Sequence, residues 1–101
     1  MKHRLSIISL EELCQLEDID SGIIIEIVEY GIVKPVGGSE TEEWIFSTTS
    51  VYWIKKAVQL YQDLEIDWLA VALLIELMQQ IESLRKENAS FKKQLRRFIQ
   101  H

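Results

Sequence analysis

Apolar residues in the second half of the chain recur at a spacing that decides the architecture. From Leu74 they fall at Leu74, Leu77, Ile81 and Leu84, then comes the polar Asn88, then Phe91, Leu95 and Phe98. Steps that alternate three and four residues make the seam of a coiled coil, with first positions at Leu74, Ile81, Asn88 and Leu95. Asp67 to Phe98 contains no Gly and no Pro, and most residues between the seam positions are Gln, Glu, Lys or Arg, so propensity agrees with pattern. Upstream, Trp68 to Leu74 is apolar on every side, which predicts burial all round for that stretch. The pattern predicts one long helix, packed into a domain at its start and projecting toward a partner beyond.

Asn88 stands where Leu or Ile would stabilise a seam most. A single polar residue there lowers stability but disfavours wrong registers and higher oligomers. The plainer reading is a solvated helix end. Glu87 can meet Lys92 of a parallel partner, whereas an antiparallel partner brings Arg85 and Lys92 near their own copies. Such pairs are worth only roughly 0.3–0.5 kcal/mol each. The seam predicts a homodimer and leaves its direction open.

The first half reads as short elements with clear stops. Residues 3–8 alternate loosely and suggest a short first strand or an extended entry. Ser9 is then an N-cap, with Glu12 completing a capping box and Ile8 available as a hydrophobic staple. Leu10, Leu13, Cys14 and Leu16 would face inward from the helix that follows. Asp18 to Gly22 breaks that helix, and a second starts at Asp20 or Ser21, runs through Ile24, Ile25, Ile27, Val28 and Tyr30, and stops at Gly31. Two short helices across a tight polar turn make a helix-turn-helix unit. Ile32-Val33, the reversal Gly37-Gly38-Ser39 and Trp44-Ile45-Phe46 then predict a hairpin wing. Ser47 or Thr49 caps a third helix, with Val51, Ile54, Val58, Tyr61 and Leu64 inward and Trp53, Ala57 and Leu60 alongside. Asp67 caps the long helix.

Charge changes the picture. The chain has 101 residues and net charge −5. Residues 1–54 carry three basic and ten acidic side chains, net −7, and residues 55–101 carry eight basic and six acidic, net +2. The compact part is acidic and the helical tail basic, a sign that also suits a helix C-terminus. An acidic domain repels phosphate backbones and attracts basic protein surfaces. The longest apolar run, Trp68 to Ile75, falls far short of the ~20 residues a membrane span requires. Met1 to Ser6 lacks the apolar core of a secretory signal. Cys14, the single cysteine, has no internal partner and sits among leucines as a buried thiol. These features lead us to expect a cytoplasmic protein.

The order helix, helix, wing, helix, long helix, with Gly31 closing the second helix and Ile32-Val33-Lys34-Pro35 leading into the wing, resembles the winged-helix domain of MerR-type regulators. Ala57-Val58, Leu60, Leu64, Asp67-Trp68, Ala70-Val71-Ala72-Leu73, Leu77-Met78, Ile81, Leu84, Glu87-Asn88, Leu95 and Arg97-Phe98 are similar to one branch, the CbpM family of chaperone modulators. Trp44-Ile45-Phe46 fits it too. The resemblance covers nearly the whole chain. It implies a mainly α fold: a MerR-like winged helix-turn-helix over residues 1–65 with a small β-hairpin wing, then a long C-terminal coiled-coil helix over 66–101. It also implies a bacterial cytoplasmic protein that binds the J-domain of a CbpA-like co-chaperone and inhibits its stimulation of Hsp70. No cofactor or metal is implied.

The residues are consistent with a DNA-binding fold that works on a protein. A recognition helix needs Arg, Lys, Asn or Gln for bases and cations for phosphates. The second helix offers Glu26 and Glu29 and no basic residue, and the wing has Glu40, Glu42 and Glu43 against Lys34. Direct DNA recognition is therefore not expected. Glu26, Glu29, Glu42 and Glu43, with Tyr30 and Trp44 as aromatic anchors, are the candidate partner-binding residues, although each also reads as a solvated acid or core aromatic. Asp63, Glu65, Asp67 and Trp68 form an alternative surface, with Asp67 equally needed as a cap and Trp68 as packing. The alternative function is a dimeric MerR-like transcription regulator reaching DNA through the basic stretch Arg85 to Arg97.

Catalysis finds little support. His3 and His101 lie at the two ends, and Cys14 has no His or Lys neighbour to activate it. The sequence contains no Cys-x-x-Cys, no His-x-x-x-His and no phosphate loop, and Gly37-Gly38 reads as a turn.

Overall fold

A computed structural model of the chain describes residues 7–99. Residues 3–6 of the expected first strand, and His3 and His101, lie outside the described residues. The elements run β1 (Ile7–Ser9), α1 (Leu10–Glu17), α2 (Ser21–Glu29), a 3-10 turn (Thr41–Glu43), β2 (Ile45–Ser47), α3 (Thr48–Leu64) and α4 (Trp68–Ile99). The fold is mainly α, a winged helix-turn-helix with a long C-terminal helix.

Local chemistry sets the boundaries. At α1, the Ser9 hydroxyl accepts from the Glu12 N–H at 3.1 Å and Glu12 Oε1 accepts from the Ser9 N–H at 3.2 Å, a complete capping box. Asp20 caps α2 by accepting from the Gly22 N–H at 3.0 Å. Gly31 ends α2 at φ 77°, where its N–H donates to the Val28 carbonyl and the Ile32 N–H donates to that of Ile27. These paired bonds satisfy carbonyls that the last turn leaves open, and Ile32 is buried beside them. Ser47 caps α3, and Asp67 Oδ1 accepts from the Ala70 N–H at 2.9 Å to start α4.

The wing differs from its expected pairing. Ile32 and Val33 are buried but form no strand. β2 pairs antiparallel with β1 instead, in the register Ile7–Ser47, Ile8–Phe46, Ser9–Ile45. The far side of β2 touches the glycine loop through one bridge, with the Val36 N–H donating to the Ile45 carbonyl at 2.8 Å and the Ile45 N–H to Gly37 at 3.2 Å. Gly38, at φ 92°, makes that approach fit, since a Cβ there would stand 2.2 Å from the Glu43 carbonyl oxygen. Three-residue strands carry too little alternation to name a partner, and the N-terminal strand competed for β2 successfully.

One core gathers these elements. Leu10, Leu13, Ile24, Ile27, Phe46, Trp53, Ile54, Ala57, Trp68, Val71 and Ile75 form it, and Phe46, Leu13, Ile24, Ile27 and Ile54 are fully enclosed. Several inward assignments fail. Leu16, Tyr61 and Leu64 are exposed, and Cys14 is half-buried rather than enclosed. α1 and α3 each end in a left-handed residue, Asp18 and Glu65, which turns the chain before the last inward position can close on the core. Trp68 to Leu74 is not buried all round either: Leu69 and Leu73 face outward. Among the described elements α3 is the one that packs most along that stretch, and it covers one side of α4.

Candidate partner-binding surfaces

Glu26 and Glu29 both lie on α2 at a spacing that makes them neighbours on one face, and both are exposed. Tyr30, the residue after the helix, is 48 % exposed. The face opposite holds Ile24 and Ile27 in the core, so the acids are where the amphipathic pattern forces them.

Glu42 and Glu43 project from the 3-10 turn before β2 and are exposed. Trp44, next in sequence, is half-buried; its ring meets Phe46 edge to face at 6.3 Å, and its carbonyl accepts the Leu10 N–H at 3.0 Å. That bond ties the turn to the first turn of α1, the turn that carries the exposed Glu11. Glu11 was not among the expected site residues, and the contact of its helix with the 3-10 turn is a tertiary one. Trp44 serves packing with one part of its ring and leaves the rest open. α2 and the 3-10 turn, which carry the two glutamate pairs, each pack on α1.

The alternative surface is the corner between α3 and α4. Asp63 and Glu65 are exposed there, together with Leu64 at 52 %. Trp68 is buried, stacked face to face on Tyr61 with centroids 4.1 Å apart and rings 5° from parallel. Its indole N–H finds no acceptor among the described residues. Asp67 thus caps α4 and the Trp68 ring packs in the core, so both distinctive residues of this corner have structural roles.

The seam residues are open. Leu77, Ile81, Leu84, Phe91, Leu95 and Phe98 are all exposed, as is Asn88, whereas Leu74 is half-buried against the domain. Leu69 and Leu73 continue the exposed stripe by four-residue steps back from Leu77, which is a signal the sequence carried and the heptad register set aside. Met78 marks the point where the helix leaves the domain; every described residue after it is exposed.

Among the described residues one ion pair forms, Lys55 Nζ to Glu17 Oε1 at 3.4 Å, and it involves none of the candidate acids on α2 and the wing. Burial, helped by the Asp20 charge, pushes the Cys14 thiol up from its ordinary value, away from the thiolate a nucleophile needs. Among the described residues no cluster of His, Cys, Asp and Glu is arranged to hold a metal, and no helix is long and apolar enough to cross a membrane.

A helix-turn-helix carrying a wing and a long C-terminal helix defines a class, and the comparisons place the chain in it: residues 8–93 match the family described as MerR HTH family regulatory protein, to which this chain belongs. Within that class it is similar to proteins named Chaperone modulatory protein CbpM. One from Pseudomonas putida is 44 % identical and one from Pseudomonas entomophila 43 %, each over 92 % of this chain and 91 % of the relative. A third, from Citrobacter koseri, is 30 % identical over the same shares. The chain is therefore a member of the CbpM family of chaperone modulatory proteins.

Proposed function

We propose that this protein acts in the cytoplasm by binding the J-domain of a CbpA-like co-chaperone and preventing it from stimulating its Hsp70 partner. The observation that carries the reading is the set of exposed acids, Glu26, Glu29, Glu42 and Glu43, on a fold whose expected DNA-reading helix presents no cation. J-domains engage Hsp70 through a basic helix, and an acidic module that covers it competes directly. Charge complementarity of this kind acts first on the association rate. Tyr30 and the open part of Trp44 supply apolar anchors beside the acids. Two copies join along the exposed stripe of α4, with Asn88 restricting register. Placed beside phosphates, the same acids would repel, so a transcriptional role would rest on the basic tail alone.

Titration calorimetry of this protein into a purified CbpA-like J-domain, at two salt concentrations, tests the reading. Micromolar binding that weakens with salt is expected. Reversing Glu26, Glu29, Glu42 and Glu43 to Lys should slow association at least tenfold at low salt and flatten its salt dependence. Unchanged association kinetics would remove this face, and absence of binding by the unaltered protein would remove the partner.

A further inference from the structure

The compact part of the chain is acidic almost everywhere. Between Ile7 and Glu65 there are twelve acidic side chains and three basic ones, Lys34, Lys55 and Lys56. Two of those three are therefore neighbours on α3, and they lie on its outer side. Thr48, Tyr52, Lys55 and Gln59 follow one another at steps of four, three and four, which makes a single helix face. Ile54 and Ala57 hold the opposite face in the core. The Lys56 ammonium stands 6.0 Å from the centroid of the Tyr52 ring, at the outer reach of a cation–π contact. Among the described residues Lys56 pairs with no carboxylate, and Lys55, though paired with Glu17, keeps 57 % of its side chain exposed.

This basic face opens into an apolar one. An open depression of about 410 Å³ begins at Thr48 and follows Val51, Tyr52, Lys55, Lys56 and Gln59 along α3. A second, of about 530 Å³, begins at the same Thr48 and runs the other way, over Ile7 and Ile8 of β1 and Gln15 and Leu16 of α1. Thr48 is thus the middle of one trough. At its apolar end Leu16 and Ile7 are 72 % and 53 % exposed and take no part in the core. At its basic end two ammonium groups flank the exposed Tyr52. Glu12 lines the apolar end, so an incoming carboxylate is repelled there and drawn toward the lysines. Charge therefore gives the trough a direction.

We propose that this trough docks a short acidic segment of a partner protein, apolar side chains against Leu16 and Ile7 and carboxylates against Lys55 and Lys56. From Thr48 the basic face extends seven residues to Lys55 and eleven to Gln59, about 10–16 Å at ~1.5 Å per residue. An extended chain at ~3.3 Å per residue covers that span in about three to five residues. The segment therefore carries its carboxylates three to five residues from its apolar pair. The α2 and wing acids attract the opposite kind of partner, and neither Leu16 nor Lys56 belongs to that face. The two surfaces take guests of opposite sign.

The test uses the full chain and no co-chaperone, so its outcome stands apart from J-domain binding. The probe is a synthetic peptide with two leucines, a four-residue Gly-Ser spacer and three glutamates. It is titrated into isotope-labelled protein and followed by amide chemical shifts. Saturable shifts centred on Ile7, Leu16, Tyr52 and Lys56 are expected. Lys55→Gln with Lys56→Gln should weaken binding at least fivefold, and Leu16→Ser at least threefold. None of these side chains belongs to the core, and an unchanged spread of amide shifts confirms that each variant folds. Exchanging the peptide's glutamates for lysines should abolish binding. Failure to saturate at ~1 mM peptide overturns the proposal. Shifts confined to Arg85 to Arg97 overturn it too, because the acids would then only be finding the densest cations. Binding that Leu16→Ser leaves untouched would also overturn it, since it would mean a carboxylate site without a trough.

Discussion

The two halves of α4 share a helix and an apolar spacing but not a fate. In the first half Trp68, Val71 and Ile75 are 5 %, 0 % and 1 % exposed, held against α3 and the core. In the second, Leu84, Phe91, Leu95 and Phe98 are 62 %, 71 %, 60 % and 79 % exposed. Helix propensity carries the backbone through both without distinction, because neither contains Gly or Pro. What differs is whether another element of the same chain is within reach. Apolar periodicity reports that a face will be covered; it does not report by which molecule.

The comparison breaks most visibly under truncation of one apolar residue in each half. Ile75→Ala should lower unfolding stability by about 2–5 kcal/mol, read by denaturant titration. Phe98→Ala, measured at concentrations where the protein is monomeric, should stay within about 0.5 kcal/mol. Equal losses would mean that the tip packs on its own domain.

A smaller effect sharpens the same contrast from the domain side. Ser9→Ala removes the α1 cap and should cost about 1 kcal/mol in thermal or chemical unfolding, while sedimentation shows self-association unchanged. From the other half, Asn88→Leu should raise the melting temperature of the assembly by several degrees and admit additional oligomers in sedimentation profiles. A melting temperature that does not move would place Asn88 outside the seam.

The smallest effect is at Cys14. Its pKa is raised in the folded state, so the thiol stays protonated, and the stability this contributes is present below the unfolded pKa and lost as pH rises through the folded one. Alkylation at pH 8.5 should be slower than for a free thiol, and stability should fall at pH above that range; Cys14→Ser should flatten the fall.

Where backbone donors needed local partners, the sequence was a reliable guide. Ser9, Glu12, Asp20, Gly31, Ser47 and Asp67 each stand where a helix boundary was expected, because capping is chemistry within a few residues. Pairing of β2 was not legible: Ile32-Val33 and Ile7-Ile8 are equally apolar, and the choice between them belongs to the assembled core. The candidate site divides in the same way. That acids populate α2 and the wing is evident from residue type. That the 3-10 turn carrying Glu42 and Glu43 packs on α1, and that Leu69 and Leu73 extend the stripe, depends on tertiary geometry.

The β1–β2 pairing also has a consequence in time. Ile7 is synthesised first, yet its partner Ser47 follows forty residues later. At roughly 5–20 residues per second on the ribosome, that is a wait of about 2–8 s. During it the capping box can already hold α1, since its bonds are local, while the strand before it stays unpaired with its edge open. The β1–β2 pairing therefore waits on forty further residues of synthesis, and the packing of α4 on α3 comes later still.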